Sequence, residues 1–250
     1  MTVVGYDGSF TGLFTAVFEI YEYKISDSNI TRDIVANSSL FGNTHIVTTD
    51  ETKASRVYKK LQSVISAKTF KQLYDVYLSE IKDIDNVLFR YMQYALQSKF
   101  VIENDYSNAD VLMIQQTSRK VHREKHRMEA FVRFKLTKDN LYYATIQPDY
   151  NVLPLICKHF KERYADQRWL IYDVQRKYGL YYDLQKVEEV KLDFSEAATT
   201  TNIFSEEEDI YQELWQVYFS NVNIKARKNL KLHIQHVPKR YWRYLVEKQV

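Results

Sequence analysis

Apolar residues in the first half of the chain recur mainly every three or four positions, which is the spacing of one buried face of an α-helix. At the start, however, Val3–Tyr6 predicts a short buried strand that an Asp7-Gly8 turn ends. Ser9 is placed to cap the helix that follows. Thr44–Thr48 predicts a second short strand. Three further helices are predicted, from apolar residues at helical spacing within residues 54–65, 70–81 and 84–95.

The next predicted helix changes character along its length. Ser107–Asp110 resembles a capping box with Asp in the place of Glu, and apolar residues follow it. Beyond them, polar and basic side chains fall within about a third of the helix circumference at 100° per residue. These residues, called the basic stripe below, are Gln116, Arg119, Lys120, Arg123, His126 and Arg127. A polyanion-binding face would have this pattern, and so would a solvated helix end.

From Glu129 the apolar pattern changes to a period of two, which predicts strands. Ala130, Val132, Phe134 and Leu136 alternate with Arg133 and Lys135, and a turn at Lys138–Asn140 leads into a returning strand over 141–147. A helix is predicted over 152–163, and three more strands over 169–174, 178–183 and 187–192. The expected result is an antiparallel sheet with an inserted helix.

The last predicted helix opens with a capping box at Ser205–Glu208. Strands and helices are therefore partly segregated along the chain, which favours the α+β class over alternating α/β. We expect one domain over residues 1–250, mainly helical over 1–128, with the sheet over 129–192 and a helix and basic arm over 203–250.

The C-terminal arm, residues 221–245, is the strongest functional signal in the sequence. Between Leu214 and Val246 there is no Asp or Glu, whereas basic residues are frequent and Tyr241, Trp242 and Tyr244 lie among the last of them. Lys and Arg neutralise phosphates, and Tyr or Trp stacks on unpaired bases. We therefore predict DNA contacts from the stripe, from strand residues Arg133 and Lys135, and from this arm. Its contact residues are Lys225, Arg227, Lys228, His236, Lys239, Arg240, Tyr241 and Trp242. The alternative is that the arm packs on acidic groups of its own domain.

Bulk composition narrows the class of protein. The 250 residues have a net charge of only +3, so nucleic-acid binding must follow from where the charges lie. The single cysteine, Cys157, excludes an internal disulfide and a cysteine metal cluster. The start of the chain has no signal-peptide pattern, and no apolar run approaches the ~20 residues of a membrane span. A cytoplasmic protein without a membrane partner is expected.

Catalytic candidates are fewer and weaker. Asp149 after Pro148, together with Glu189-Val-Lys191, resembles the PD…(D/E)xK arrangement of Mg²⁺-dependent nucleases. His159, Asp173 and Arg176 lie at predicted element ends and could line a cleft, with Asp173 holding Arg176 or His159. His122 and His126 have the spacing of two metal ligands, but the neighbouring cations disfavour a metal. No cofactor is evident, apart from Mg²⁺ under the nuclease alternative.

Several long segments resemble a bacterial family of uncharacterised DNA-repair or DNA-metabolism proteins with a DUF4130-type domain. They are YDGSFTGLFTAVFE (6–19), HRMEAFVRF (126–134), PDYNVLP (148–154), WLIYDVQRKYGLYYD (169–183) and RKNLKLHIQHVPKRYW (227–242). Leu230 departs from a proline that is common in the family, and Ile234 departs from a common basic residue.

This resemblance implies a role in DNA repair or DNA metabolism but does not imply a particular reaction. Members of the family are associated with a radical-SAM protein similar to spore photoproduct lyase, and some are fused to a uracil-DNA glycosylase-like domain. We therefore expect a DNA-binding accessory to a radical-SAM partner. The alternatives are a nuclease or glycosylase-like enzyme that uses Asp149 or Asp173, and an adaptor whose arm docks on an acidic protein.

Overall fold

The computed structural model describes residues 1–32, 43–191, 208 and 234–248. The chain divides into two compact units, Met1–His122 and Arg123–Val250. The expectation of a single domain over residues 1–250 stays a prediction. Among the described residues, no helix is both long enough and apolar enough to cross a membrane.

The first unit contains a three-stranded parallel sheet. Its strands are β1 (Thr2–Gly5), β2 (Ser28–Thr31) and β3 (Asn43–Ile46), in the order β2-β1-β3. The first and third strands match the two that the sequence predicts. Strand β2 was not predicted, because Ser28–Thr31 has neither a clear apolar alternation nor an apolar run.

The helices of the first unit follow the predicted apolar spacing. They are α1 (Phe10–Glu22), α2 (Glu51–Gln62), α3 (Ala67–Tyr77) and α4 (Ile84–Gln97). Ser9 caps α1 as predicted, since its hydroxyl accepts a hydrogen bond from the Gly12 amide at 2.8 Å. The apolar faces of the helices meet the sheet in one core, which includes the fully buried Leu13, Leu61 and Leu88.

Helix α5 (Ala109–Phe131) differs from its prediction at both ends. At its start, Asn108 rather than Ser107 provides the cap, because its Oδ1 accepts from the amides of Asp110 and Val111 at 2.9 and 3.2 Å. At its end, the helix continues through Phe131, so the strand predicted to begin at Glu129 is wrong over its first part. The apolar residues there suit a helix face as well as a strand, and the long helix before them extends into this stretch.

The sheet of the second unit is mixed, not antiparallel as predicted. Its strands are β4 (Lys135–Leu136), β5 (Tyr142–Ile146), β6 (Trp169–Asp173), β7 (Tyr178–Tyr182) and β8 (Val187–Val190), in sequential order. The β4–β5, β6–β7 and β7–β8 pairs are antiparallel, whereas β5 and β6 are parallel. Helix α6 (Leu153–Arg163) connects these two strands and allows the chain to return in the same direction.

Aromatic residues fill the core of the second unit. Trp169 is fully buried, and its ring lies 5.5 Å from that of Tyr182 and 6.3 Å from that of Phe160. The C-terminal residues form two short 3₁₀-helices, Lys239–Tyr244 and Val246–Lys248.

With its helices and its two sheets, the protein is of the α+β class, as predicted. Most of the helix expected from Ser205 onward and the arm residues 221–233 lie outside the described residues.

Candidate nucleic-acid interface

The parallel pairing of β5 and β6 brings two of the candidate residues to one edge of the sheet. Ile146, the last residue of β5, is in register with Asp173, the last residue of β6. The Pro148–Asn151 loop follows β5 at this edge, and Arg176, the partner of Asp173, bonds to its backbone. Carboxyl ends of neighbouring parallel strands meet in this way, so residues far apart in sequence become neighbours.

Asp173 and Arg176 form the ion pair that the sequence analysis considered. The Arg176 guanidinium donates to Asp173 Oδ2 at 2.9 Å, and Asp173 Oδ1 accepts from the backbone amides of Gln175 and Arg176. Asp173 is fully buried. The same guanidinium donates to the carbonyls of Pro148 and Asp149 at 3.1 and 3.2 Å. The pair therefore fixes the loop backbone, and its contacts are those of a structural clamp.

Glu124, on helix α5, is the buried acid to which the other groups converge. It is 1% exposed, although carboxylates are rarely buried without partners. Its Oε1 accepts from the Asp149 amide at 2.9 Å and from the Tyr241 hydroxyl. Its Oε2 accepts from Arg240 at 3.0 Å, and the Arg127 guanidinium lies 3.7 Å away. Together these contacts compensate the cost of burying the charge.

Arg240 joins this acid to the loop. Its guanidinium lies 2.7 Å from Asp149 Oδ2, donates to the Tyr241 hydroxyl and lies 4.5 Å from the centre of the Tyr241 ring. Burial alone would lower the pKa of Arg240, but the charges of Glu124 and Asp149 and the contact with Tyr241 together outweigh burial and raise that pKa. Arg240 therefore packs against acids of its own unit. The sequence analysis gave this packing as the alternative to DNA contact.

Tyr241 does not have the place expected of a base-stacking residue. Its ring is 1% exposed and packs 5.5 Å from the Phe131 ring. Burial, followed by its hydrogen bond to Glu124, raises the pKa of the hydroxyl. The residue thus anchors the C-terminal segment to the unit and has no open face for a base. Trp242 remains partly exposed, with Lys239 Nζ 5.9 Å from its ring centre.

Several side chains of the described part of the arm are exposed around this anchor, and Lys239 and Arg243 are the cations among them that do not contact Glu124. His236, Lys239, Arg240 and Arg243 are exposed, whereas Tyr241 and Leu245 are buried. Because Arg240 and Arg127 meet at Glu124, the segment lies against the part of α5 that belongs to the same unit. Arg123 and His126 are exposed on that part of the helix. Arg127 is partly buried, and Arg133 donates to Glu247 at 2.8 Å, so neither is an open cation.

The remaining predicted contact residues divide into two groups. Arg119 and Lys120 of the first unit are exposed on α5, and Lys135 is partly exposed on β4. Lys225, Arg227 and Lys228 lie outside the described residues.

The predicted catalytic candidates do not gather at one place. Asp149 and Asp173 meet at the loop, but the Asp149 carboxylate is paired with Arg240 and Asp173 is saturated by Arg176. His159 lies on α6 beside a separate cavity. In the described ranges, no group of three or more His, Cys, Asp or Glu residues could hold a metal ion. Cys157 is half-buried, and this burial raises the pKa of its thiol, which disfavours the nucleophilic thiolate.

A family model matches residues 82–247, and its description is a domain of unknown function, DUF4130. The match covers well over half of the chain. The chain belongs to this family. The matched range contains Glu124, the Pro148–Asn151 loop, the Asp173–Arg176 pair and the Arg240–Tyr241 anchor, so the whole cluster lies within the DUF4130 region.

Other comparisons add little about function. No curated protein sequence matches the DUF4130 chain significantly. Among solved structures, the chain is similar to a pGpG-specific phosphodiesterase, PggH, from Vibrio cholerae, at 11% sequence identity and a TM-score of 0.34. That alignment covers 89% of this chain and 99% of the other. A TM-score this low supports no conclusion about either fold or activity.

Glu124 is the member of the cluster that the sequence analysis missed. It lies among the basic residues of the stripe, where a lone acid looks like ordinary surface charge alternation. Its position offers one signal: it is four residues before Met128 and three after Val121, both buried, and so lies on the buried face of α5. A buried acid needs hydrogen-bond donors or a cation as partners, and the basic C-terminal arm is one source of them in the sequence.

Proposed function

We propose that this protein binds DNA through a basic surface of its second unit and acts as an accessory in DNA repair or DNA metabolism. The surface consists of Arg123 and His126 on α5 and of the exposed cations around the Tyr241 anchor. Lys225, Arg227 and Lys228 of the arm, and Arg119 and Lys120 of the first unit, are further DNA contacts proposed from the sequence alone and are not part of this surface.

One observation carries the proposal. The C-terminal segment is fixed by a buried aromatic residue and a buried acid, while Lys239 and Arg243 on either side of this anchor remain exposed. A segment that served only to close the unit would have no need for these two outward cations without an acid between them. Fixed, outward-facing cations can contact successive phosphates without losing much side-chain and backbone freedom.

The role of a radical-SAM protein as the partner follows from the family resemblance alone. In this arrangement the present protein holds the strand or the damaged site, and the partner performs the chemistry. Co-purification of the two full-length proteins, with and without DNA, tests this part separately.

The DNA proposal is tested by fluorescence anisotropy of labelled single-stranded and duplex DNA across a salt series. Lys239→Ala with Arg243→Ala should make the slope of log Kobs against log salt shallower by about 1.8 for duplex DNA, from ~0.9 per phosphate contact. Lys158→Ala, an exposed lysine on α6, is the matched control and should leave the slope unchanged.

An unchanged slope in the double variant would reject the assignment of this surface. A denaturing gel of the same samples with Mg²⁺ tests the enzyme alternative. We expect the DNA to stay intact. If the purified protein cleaves the DNA and Asp149→Asn abolishes this cleavage, the protein is a nuclease.

A further inference from the structure

The second unit contains a cavity of about 820 Å³ that the basic surface does not use. Small-molecule sites in proteins commonly have volumes of about 300–1,000 Å³. Its walls come from the end of α5, from β4 and β5, from α6 and from the C-terminal residues. Its lining includes Glu129, Phe134, Tyr142, His159, Arg163 and Tyr164.

One wall of the cavity is aromatic. Phe134 packs edge-on against Tyr164 and Tyr142, with ring centres 5.3 and 6.5 Å apart. Phe160 also lines the cavity and stacks on Tyr164 at 6.0 Å with an interplanar angle of 9°. Phe134, Tyr142 and Tyr164 are partly exposed, so they present ring surface to a ligand. A planar heteroaromatic ring gains from such a surface by stacking and by edge-to-face contact.

A second wall offers an arginine and a histidine side chain. His159 and Arg163 lie four residues apart on α6, which places both side chains on the same helical face. Both line the cavity. Neither makes a hydrogen bond or an ion pair with another residue in the part of the chain that the structure describes, and Arg163 has only a ring contact, 5.8 Å from the centre of Tyr164. Arginine without a carboxylate partner beside an aromatic ring is suited to a phosphate.

Of the two acids at the cavity, Glu129 is paired with a lysine, whereas Glu208 is held by a backbone hydrogen bond. Glu129 lies 3.0 Å from Lys125, and Glu208 Oε2 accepts from the Leu136 amide at 2.8 Å. Arg133 at the cavity wall is likewise bound to Glu247. His159 and Arg163 are therefore the groups that a ligand anion would meet.

We infer that this cavity binds a single nucleotide, with the base against Phe134, Tyr142 and Tyr164 and the phosphate at His159 and Arg163. The inference deepens the proposed function and rests on it for the choice of nucleic-acid chemistry. The nucleotide can be free, or it can be one unit of the bound strand turned out of its stack, and both sources offer the same base and phosphate.

Free nucleotides are tested by isothermal titration of the full chain with the four deoxynucleoside 5′-monophosphates. At least one should bind, and deoxyribose 5-phosphate, which lacks the base, should bind at least about tenfold more weakly. Arg163→Gln should weaken nucleotide binding about tenfold or more, as expected for loss of a hydrogen bond to a charged group. Lys158→Ala, on the same helix, should leave the affinity unchanged.

Strand-derived nucleotides are tested with a short single-stranded oligonucleotide. If the strand is the source, His159→Gln and Arg163→Gln weaken oligonucleotide binding, and a mononucleotide competes with it. If the source is a free nucleotide, only mononucleotide binding changes. Either result supports the site.

The inference is overturned if neither ligand responds to these substitutions, or if inorganic phosphate binds as tightly as the nucleotides. This failure is distinct from that of the basic surface. Lys239→Ala with Arg243→Ala should change the salt slope for DNA and leave mononucleotide affinity intact, whereas the α6 variants act on the nucleotide.

Discussion

Glu124 and Arg240 lie 116 positions apart in the sequence, and their side chains meet at 3.0 Å beside the Tyr241 hydroxyl. The acid is buried, and the arginine is part of the basic arm. This contact ties the C-terminal segment to the end of helix α5 and to the Pro148–Asn151 loop. The cations next to it are therefore presented on a fixed backbone.

Tyr241→Phe should destabilise the protein by about 1–3 kcal/mol. The substitution removes a hydroxyl that donates to a buried carboxylate, and a buried acceptor left without its donor costs about that much. Urea unfolding monitored by circular dichroism gives the free energy of unfolding. Tyr181→Phe on β7, whose hydroxyl has no hydrogen bond to another described residue, is the control and should change it by less than ~0.5 kcal/mol. Equal effects of the two substitutions would contradict the anchor role.

The same tyrosine predicts a loss of stability at alkaline pH. Burial, and then the hydrogen bond to Glu124, raise its pKa above the ordinary value of 10.0. A group whose pKa is raised by folding contributes full stability below the unfolded value and loses it as pH rises through the folded one. The free energy of unfolding should therefore fall above about pH 10, and less steeply in Tyr241→Phe. The other buried tyrosines contribute equally in the unsubstituted protein and in Tyr241→Phe. The prediction is refuted if the free energies of unfolding of the two proteins fall in parallel as the pH rises.

Asp173→Ala should cost about 3–5 kcal/mol, because it leaves the largely buried Arg176 guanidinium without its carboxylate. The Arg176 side chain would then no longer be held in place to bond the Pro148 and Asp149 carbonyls. Asp166→Ala, at an exposed acid of the same unit, should stay within ~0.5 kcal/mol. Thermal unfolding of both variants gives the comparison. A stable Asp173→Ala protein would mean that the pair is not structural, and the enzyme alternative for Asp173 would then gain support.

Acid should weaken the first unit through Glu19 on α1. This carboxylate lies 2.6 Å from His45 and 2.8 Å from Lys53. Burial alone would raise its pKa, but the hydrogen bonds from Lys53 and His45 outweigh burial and lower it below the ordinary 4.5. Its stabilisation is therefore complete above about pH 4.5 and is lost as pH falls through the lowered value.

Glu19→Gln should accordingly show a flatter dependence of the free energy of unfolding on pH below about 4.5. Glu51→Gln, at an exposed acid of helix α2, is the control and should follow the unsubstituted protein. The prediction fails if Glu19→Gln and the unsubstituted protein lose stability in parallel as the pH falls.

Most of the helices and strands can be predicted from the sequence, because they reflect periodic burial over short distances. The Ser9 cap, the four helices of the first unit, helix α6 and strands β5 to β8 all follow from local spacing. The basic character of the arm is likewise a property of composition. Strand β2 has no such local signal, and the end of α5 has a signal that fits both helix and strand.

Which charged side chains are exposed and which are paired within the protein depends on the folded arrangement and cannot be read from local sequence. The parallel return of β6 brings Asp173 to the Pro148–Asn151 loop, and the burial of Glu124 selects Arg240 and Tyr241 as its partners. Both depend on contacts between residues far apart in sequence, and a buried charge must find its compensation wherever the fold supplies it. The sequence therefore identified a basic segment, whereas the fold separated its anchor from its exposed cations and placed His159 and Arg163 at a cavity of their own.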